Sequence, residues 1–180
     1  MNRITLTSTA VAAALLATLA ACGNDKPKSA SDQTSNGKAG ASAASKPLDA
    51  GTAFAQISGK VSSAKLSGTV TAENDPNHLL GRPNQYTSKI TFEDSRVSPA
   101  DVSGSEKGDV DRGGAIEVFG SPSDAKARAE YIQTVTKSMP ALAEYDYVHG
   151  KVLVRVSHYL TPKQAAAYKT AADGLSRVRR

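Results

Sequence analysis

Hydrophobic positions follow three rhythms along this chain. From Ile4 to Ala21 they run without a charge, from Gly23 to Pro47 there is no Ile, Val, Leu or aromatic residue, and from Leu48 onward they recur with short periods. In that last part, Ala50, Phe54, Ile57 and Val61 lie at helical spacing and predict a short helix within Leu48 to Val61, weakened by Gly51 and Gly59. Leu66, Gly68 and Val70 alternate across Lys65 to Thr71, and Ile90 and Phe92 alternate within "TSKITFE", Thr87 to Glu93. With "AIEVF", Ala115 to Phe119, they predict three strands. Between the last two, Asp94 to Gly114 holds Pro99 and four glycines and reads as a loop.

The second half repeats the alternation of periods. Ser121 as N-cap and Pro122 at the first helical position open a helix whose stripe is Ala125, Ala129, Ile132, Val135 and Met139, with Pro140 as its stop. "EYDYVHGKVLVRVSHYL" then reads as a hairpin. With His149 and Gly150 as its turn, Tyr147 faces Val152, Tyr145 faces Val154, Val156 continues that face, and Glu144 faces Arg155 on the other. Thr161, Pro162 and Gln164 form a capping box, with Leu160 placed to staple on Ala165. Ala165, Tyr168, Ala172 and Leu175 supply the buried side of that last helix. The order α, β, β, β, α, β, β, α predicts an α+β fold: one mainly antiparallel sheet of about four to five strands, with helices packed mainly on one face.

The uncharged run behaves differently. Arg3 precedes it, Thr5, Thr7, Ser8, Thr9 and Thr18 interrupt it, and alanine dominates from Ala10 to Ala21. A bilayer span needs about 20 predominantly apolar residues, so the pattern reads instead as a secretory signal peptide over residues 1–21. It ends in Leu19, Ala20, Ala21 and Cys22, the only cysteine. This stretch resembles the lipobox of bacterial lipoproteins. The resemblance implies cleavage before Cys22 and a diacylglyceryl thioether on its sulfur, which suffices as a membrane anchor because two acyl chains hold stably.

Residues 22–47 then form a Ser/Ala/Gly/Lys linker. It has too little apolar surface to offset the entropy of ordering and is expected to be a disordered tether. Residues 48–180 form the single α+β domain.

The net charge of +5 is unevenly placed. Leu48 to Ser176 carries nine Lys and five Arg against nine Asp and six Glu, a net of −1, and the excess lies at the two ends. A nearly neutral body offers no basic face for phosphates, which argues against nucleic acid as a partner.

Motifs for chemistry are sparse. His149 is explained as a turn residue and His158 as the end of a strand, without Cys or His at ligand spacing. Asp109 and Asp111 in "GDVDRGG" resemble the start of a calcium loop and Gly114 fits its turn, but Gly113 occupies the third ligand position and Gly120 stands where the closing Glu belongs. Ser62 and Lys65 make an S-x-x-K pair without the S-D-N and K-T-G that accompany it in penicillin-recognising enzymes. We expect no catalytic residue, no metal and no cofactor.

One loop stands out, "DPNHLLGRPNQY", Asp75 to Tyr86. It displays His78, Arg82, Asn84 and Tyr86, a set able to hold an anion, a sugar or a peptide. The same loop can also serve as a structured connection in which Leu79 and Leu80 plug the core and polar groups satisfy backbone.

Together, "DPNHLLGRPNQYTSK", "GGAIEVF", "ARAEYI", "YDYVHGKVLVRVS" and "LTPKQAAAY", following a lipobox, resemble a group of small uncharacterised lipoproteins of actinobacterial type. The similarity spans about Phe54 to Ala172 and implies location and a shared fold. It carries no catalytic residue over. The expected role is a lipid-anchored, extracytoplasmic binding module for an envelope protein or small ligand. The alternatives are a cell-envelope hydrolase built around His78, or an inhibitor or immunity-type protein that presents an apolar face to an extracellular enzyme.

Overall fold

The structure, a computed structural model, describes residues 47–176. The expected signal segment, Cys22, the linker up to Lys46 and the arginines from Arg177 onward lie outside the described residues. The element order is the expected one: α1 (Ala50–Ser58), β1 (Ala64–Val70), β2 (Tyr86–Asp94), β3 (Gly113–Phe119), α2 (Pro122–Lys137), β4 (Glu144–His149), β5 (Val152–Ser157) and α3 (Pro162–Asp173). One antiparallel sheet runs β1-β2-β3-β5-β4, leaving β1 and β4 as its edges.

Period-two alternation sends neighbouring residues of each strand to opposite faces. Ile90, Phe92, Ile116, Val118, Val152, Val154 and Val156 share one face and form the main core with the buried sides of α1 and α3. Tyr86, Phe119 and Leu153 belong to a second, smaller core under Ala125, Ala129 and Ile132 of α2. Two helices therefore cover one face and one covers part of the other. The helix starts are built as expected: Ser121 Oγ accepts the Asp124 N–H at 3.2 Å, and Thr161 and Gln164 cap each other's backbone.

Three details differ from the sequence reading. Leu66 is 54% exposed, because β1 is an edge strand with an irregularity between Leu66 and Gly68. Met139 is exposed, since α2 ends at Lys137 and Pro140 opens a short 3-10 turn instead of following the helix directly.

The hairpin turns at Gly150 and Lys151, two residues out of the expected register. Tyr147 pairs with Val154, Tyr145 with Val156, and Asp146 rather than Glu144 stands opposite Arg155. Gly150 takes φ 53°, at the first central position where a II′ turn needs glycine. A slip of two preserves every face, so the apolar set was unaffected.

Candidate functional site

Lys89 sits on β2 directly opposite Glu117 on β3, and Arg155 on β5 pairs with Ala115, two residues along β3 from Glu117. All point to the face that α2 only partly covers. Glu117 is fully buried. Its carboxylate lies 3.2 Å from Lys89 Nζ and accepts from Arg155 Nη1 at 3.2 Å and from Arg128 Nε of α2 at 3.4 Å. Burial alone would push Glu117 up, but the charges of Arg155, Lys89 and Arg128 outweigh it and hold the carboxyl below its ordinary range.

Arg155 is shared. Its Nε and Nη2 donate to the two oxygens of Glu144 at 2.7 and 2.9 Å, a bidentate pair, while Nη1 serves Glu117. Asp146 is left over. Both its oxygens are buried and no N–H or hydroxyl of the described residues donates to them, and burial, the charge of Glu144 and hydrogen bonding to Glu144 push its pKa up to about 8. Near neutral pH Asp146 therefore keeps its proton, which gives it a donor toward Glu144 and relieves the repulsion between the two carboxyls.

Lys89, Arg128, Arg155 and Glu144 form the charged wall of a cleft of about 720 Å³ between α2 and the sheet, which Tyr131 and Leu142 also line, with Glu117 buried behind it. Tyr131 is 62% exposed, with the Arg128 guanidinium 5.7 Å from its ring centre. Pro76, Lys89, Gly108 and Asp109 also line an adjoining cleft of about 410 Å³, which continues past Ser67, Thr69 and Thr91. The two clefts meet at those four shared residues, the larger charged and apolar, the smaller hydroxyl-lined.

The loop residues singled out from sequence do not gather at this site. Tyr86 is fully buried, and its hydroxyl donates to the carboxylate of Asp75, 2.8 and 2.7 Å from the two oxygens. Asp75 also accepts the N–H groups of Asn77, Leu79 and Leu80. Burial pushes Asp75 up, and these bonds, led by that of Tyr86, bring it down to about 2. The loop is the structured connection: Leu79 and Leu80 pack on the smaller core while the acid satisfies backbone.

His78, with φ 51°, Arg82 and Asn84, with φ 61°, are exposed at the turns, and none of the three lines the groove. The loop reaches the groove through Pro76, Asn77 and Leu79 instead.

Sequence reasoning missed Lys89, Glu117, Arg128, Tyr131 and Asp146. The signal was the opposite charge of Lys89 and Glu117, the latter within the otherwise apolar β3, which an open outer face explains equally well. Gly114, weighed above as a calcium-loop turn, lies within β3, where a Cβ would collide with the Arg155 carbonyl oxygen and the Phe92 ring. Ser62 precedes β1 in a turn and opens no helix. Among the described residues no group of three His, Cys, Asp or Glu stands close enough to hold a metal, and no helix is long and apolar enough to cross a membrane. Comparison with protein-family models, with curated proteins and with solved structures gives no match.

Proposed function

We infer that this chain is a lipid-anchored extracytoplasmic protein that acts as a non-catalytic binding module, and that the groove beside α2 is where its ligand sits. The observation that carries the binding role is the set of charges in the groove wall. Replacing buried ion pairs by apolar residues of similar size is often neutral or stabilising. A cluster of Lys89, Glu117, Arg128, Arg155 and Glu144 in place of a second apolar layer is therefore poorly explained by stability. It is well explained by a surface that must recognise polar groups.

Support for the anchor is the sequence Leu19 to Cys22 behind an apolar run with one leading arginine. A hydrolase centred on His78 is the weaker reading, since no Ser, Asp or Glu makes a hydrogen bond or ion pair with that imidazole among the described residues. An interaction with another protein is favoured by one feature. Tyr131, Leu142, Met139 and Val148, all exposed, lie on α2, on the turn that follows it and on the edge strand β4.

Mass spectrometry of the native product tests the anchor. The expected result is a chain beginning at Cys22 with a diacylglyceryl group, lost in Cys22→Ser. A product that retains Met1, or a free thiol at Cys22, overturns the placement.

A further inference from the structure

The groove offers three kinds of contact at once. Arg128 gives Nε to Glu117 and lies over the Tyr131 ring, its side chain is 11% exposed and lines the cleft, and its Nη groups make no hydrogen bond to the described residues. Lys89 Nζ makes one ion pair, to Glu117, lies 5.0 Å from the Tyr86 ring centre, and retains hydrogens to donate where its nearly buried side chain lines the cleft. Both cations line the cleft together with the exposed ring of Tyr131 and the exposed Leu142.

Asp109 and Asp111 also line the cleft. Asp109 Oδ2 accepts the Glu106 N–H at 2.7 Å, and its other oxygen is unengaged. Asp111 lies 3.7 Å from His158 Nδ1. Beyond Lys89 the adjoining cleft is lined by Ser67, Thr69 and Thr91, and Ser67 Oγ is buried without a hydrogen-bond partner. A single compact anion would use the donors and leave the acids and the hydroxyl end idle. An extended zwitterion with an apolar end uses the cations, the exposed apolar pair and an acid together.

We propose that the groove binds short peptides by their free carboxyl terminus, received by Arg128 and Lys89, with the C-terminal apolar side chain on Tyr131 and Leu142 and the amino terminus toward Asp109. The proposal rests on the groove being the ligand seat. It names the ligand class, and it adds a positioning role for Glu117, which fixes Lys89 and Arg128 side by side from beneath.

The test uses the full chain in detergent and the tripeptide Gly-Ala-Phe, with its C-terminal amide and its N-acetyl form as comparison probes, in calorimetric titrations. The acid is expected to bind at least roughly tenfold more tightly than the amide, because a charge-assisted bidentate contact is lost, and more tightly than the acetylated form. Arg128→Gln abolishes the preference for acid over amide. Tyr131→Ala abolishes the preference for Phe over Ala at the last position, and Lys163→Gln, on the exposed side of α3, changes neither. Thermal unfolding of each variant within a few degrees of the parent shows that binding, not folding, was lost.

Equal binding of acid and amide, or a preference that survives Arg128→Gln, overturns the proposal. So does a failure of Gly-Ala-Phe to bind. None of these outcomes touches the anchored-protein reading, which stands or falls on the mass at Cys22.

Discussion

Ile116 and Glu117 are neighbours on β3, both fully buried, yet they face different surroundings. Ile116 points into an apolar layer closed by α1 and α3, where dispersion and burial supply the stability. Glu117 points to the other face, where three cations converge on it and α2 leaves a groove open. The first face tolerates small changes in shape because its interactions are many and weak. The second is organised around Glu117, the one carboxylate that all three cations share. One face of the sheet therefore carries the fold, and the other combines modest packing with a fixed pattern of charge.

The largest expected effect comes from breaking that arrangement. Glu117→Ala leaves Lys89, Arg128 and Arg155 without their common partner and should destabilise by about 3–5 kcal/mol in urea unfolding. The double variant Lys89→Met, Glu117→Leu sharpens the comparison. It removes a charge together with its partner, Arg155 keeps Glu144, and Arg128 can turn to solvent. It should therefore be more stable than Glu117→Ala by about 1–4 kcal/mol. A double variant no better than the single one would mean that the cluster stabilises by packing rather than by charge balance.

Asp146 adds a pH dependence to the charged face alone. Glu144 and Glu117 push its pKa up and Arg155 pulls it down, with burial the leading cause of the rise. The folded state binds this proton more tightly than the unfolded chain, so its contribution is full below the unfolded carboxyl pKa of about 4. It is lost as pH rises through about 8. Asp146→Asn keeps a donor toward Glu144 at every pH. It should flatten that decline, with a gain of about 1–3 kcal/mol at pH 8 and less at pH 5, read from unfolding midpoints across pH. The smallest effect belongs to the apolar face. Ile116→Val should cost about 0.5–1.5 kcal/mol, independent of pH, in the same measurement.

Legibility followed the same division. Ala50, Phe54 and Ile57, the stripe Ala125, Ala129 and Ile132, and the capping box at Thr161 were readable because each is a local pattern that ends in burial or a backbone bond. The hairpin was readable in its faces but not in its register, since a shift of two residues leaves every side chain on the same side. At the site, Glu144 with Arg155 was anticipated, though they meet diagonally rather than directly across the strands.

Tyr86 was misplaced for a physical reason. A tyrosine at a loop's end has the same composition whether its hydroxyl meets a ligand or a buried carboxylate, and here Asp75, eleven residues earlier, takes it.

What the chain determined by itself was the order and type of its elements, because periods of two and of three to four are set by backbone geometry within a few residues. Only the tertiary structure decided which polar residues are inside. Lys89 and Glu117 alternate with apolar neighbours as solvent-facing residues would, and nothing local distinguishes an open face from one that a helix will cover. That depends on where α2 lands after β3, and its landing turns an apparently wet row of charges into a buried cluster with a groove beside it.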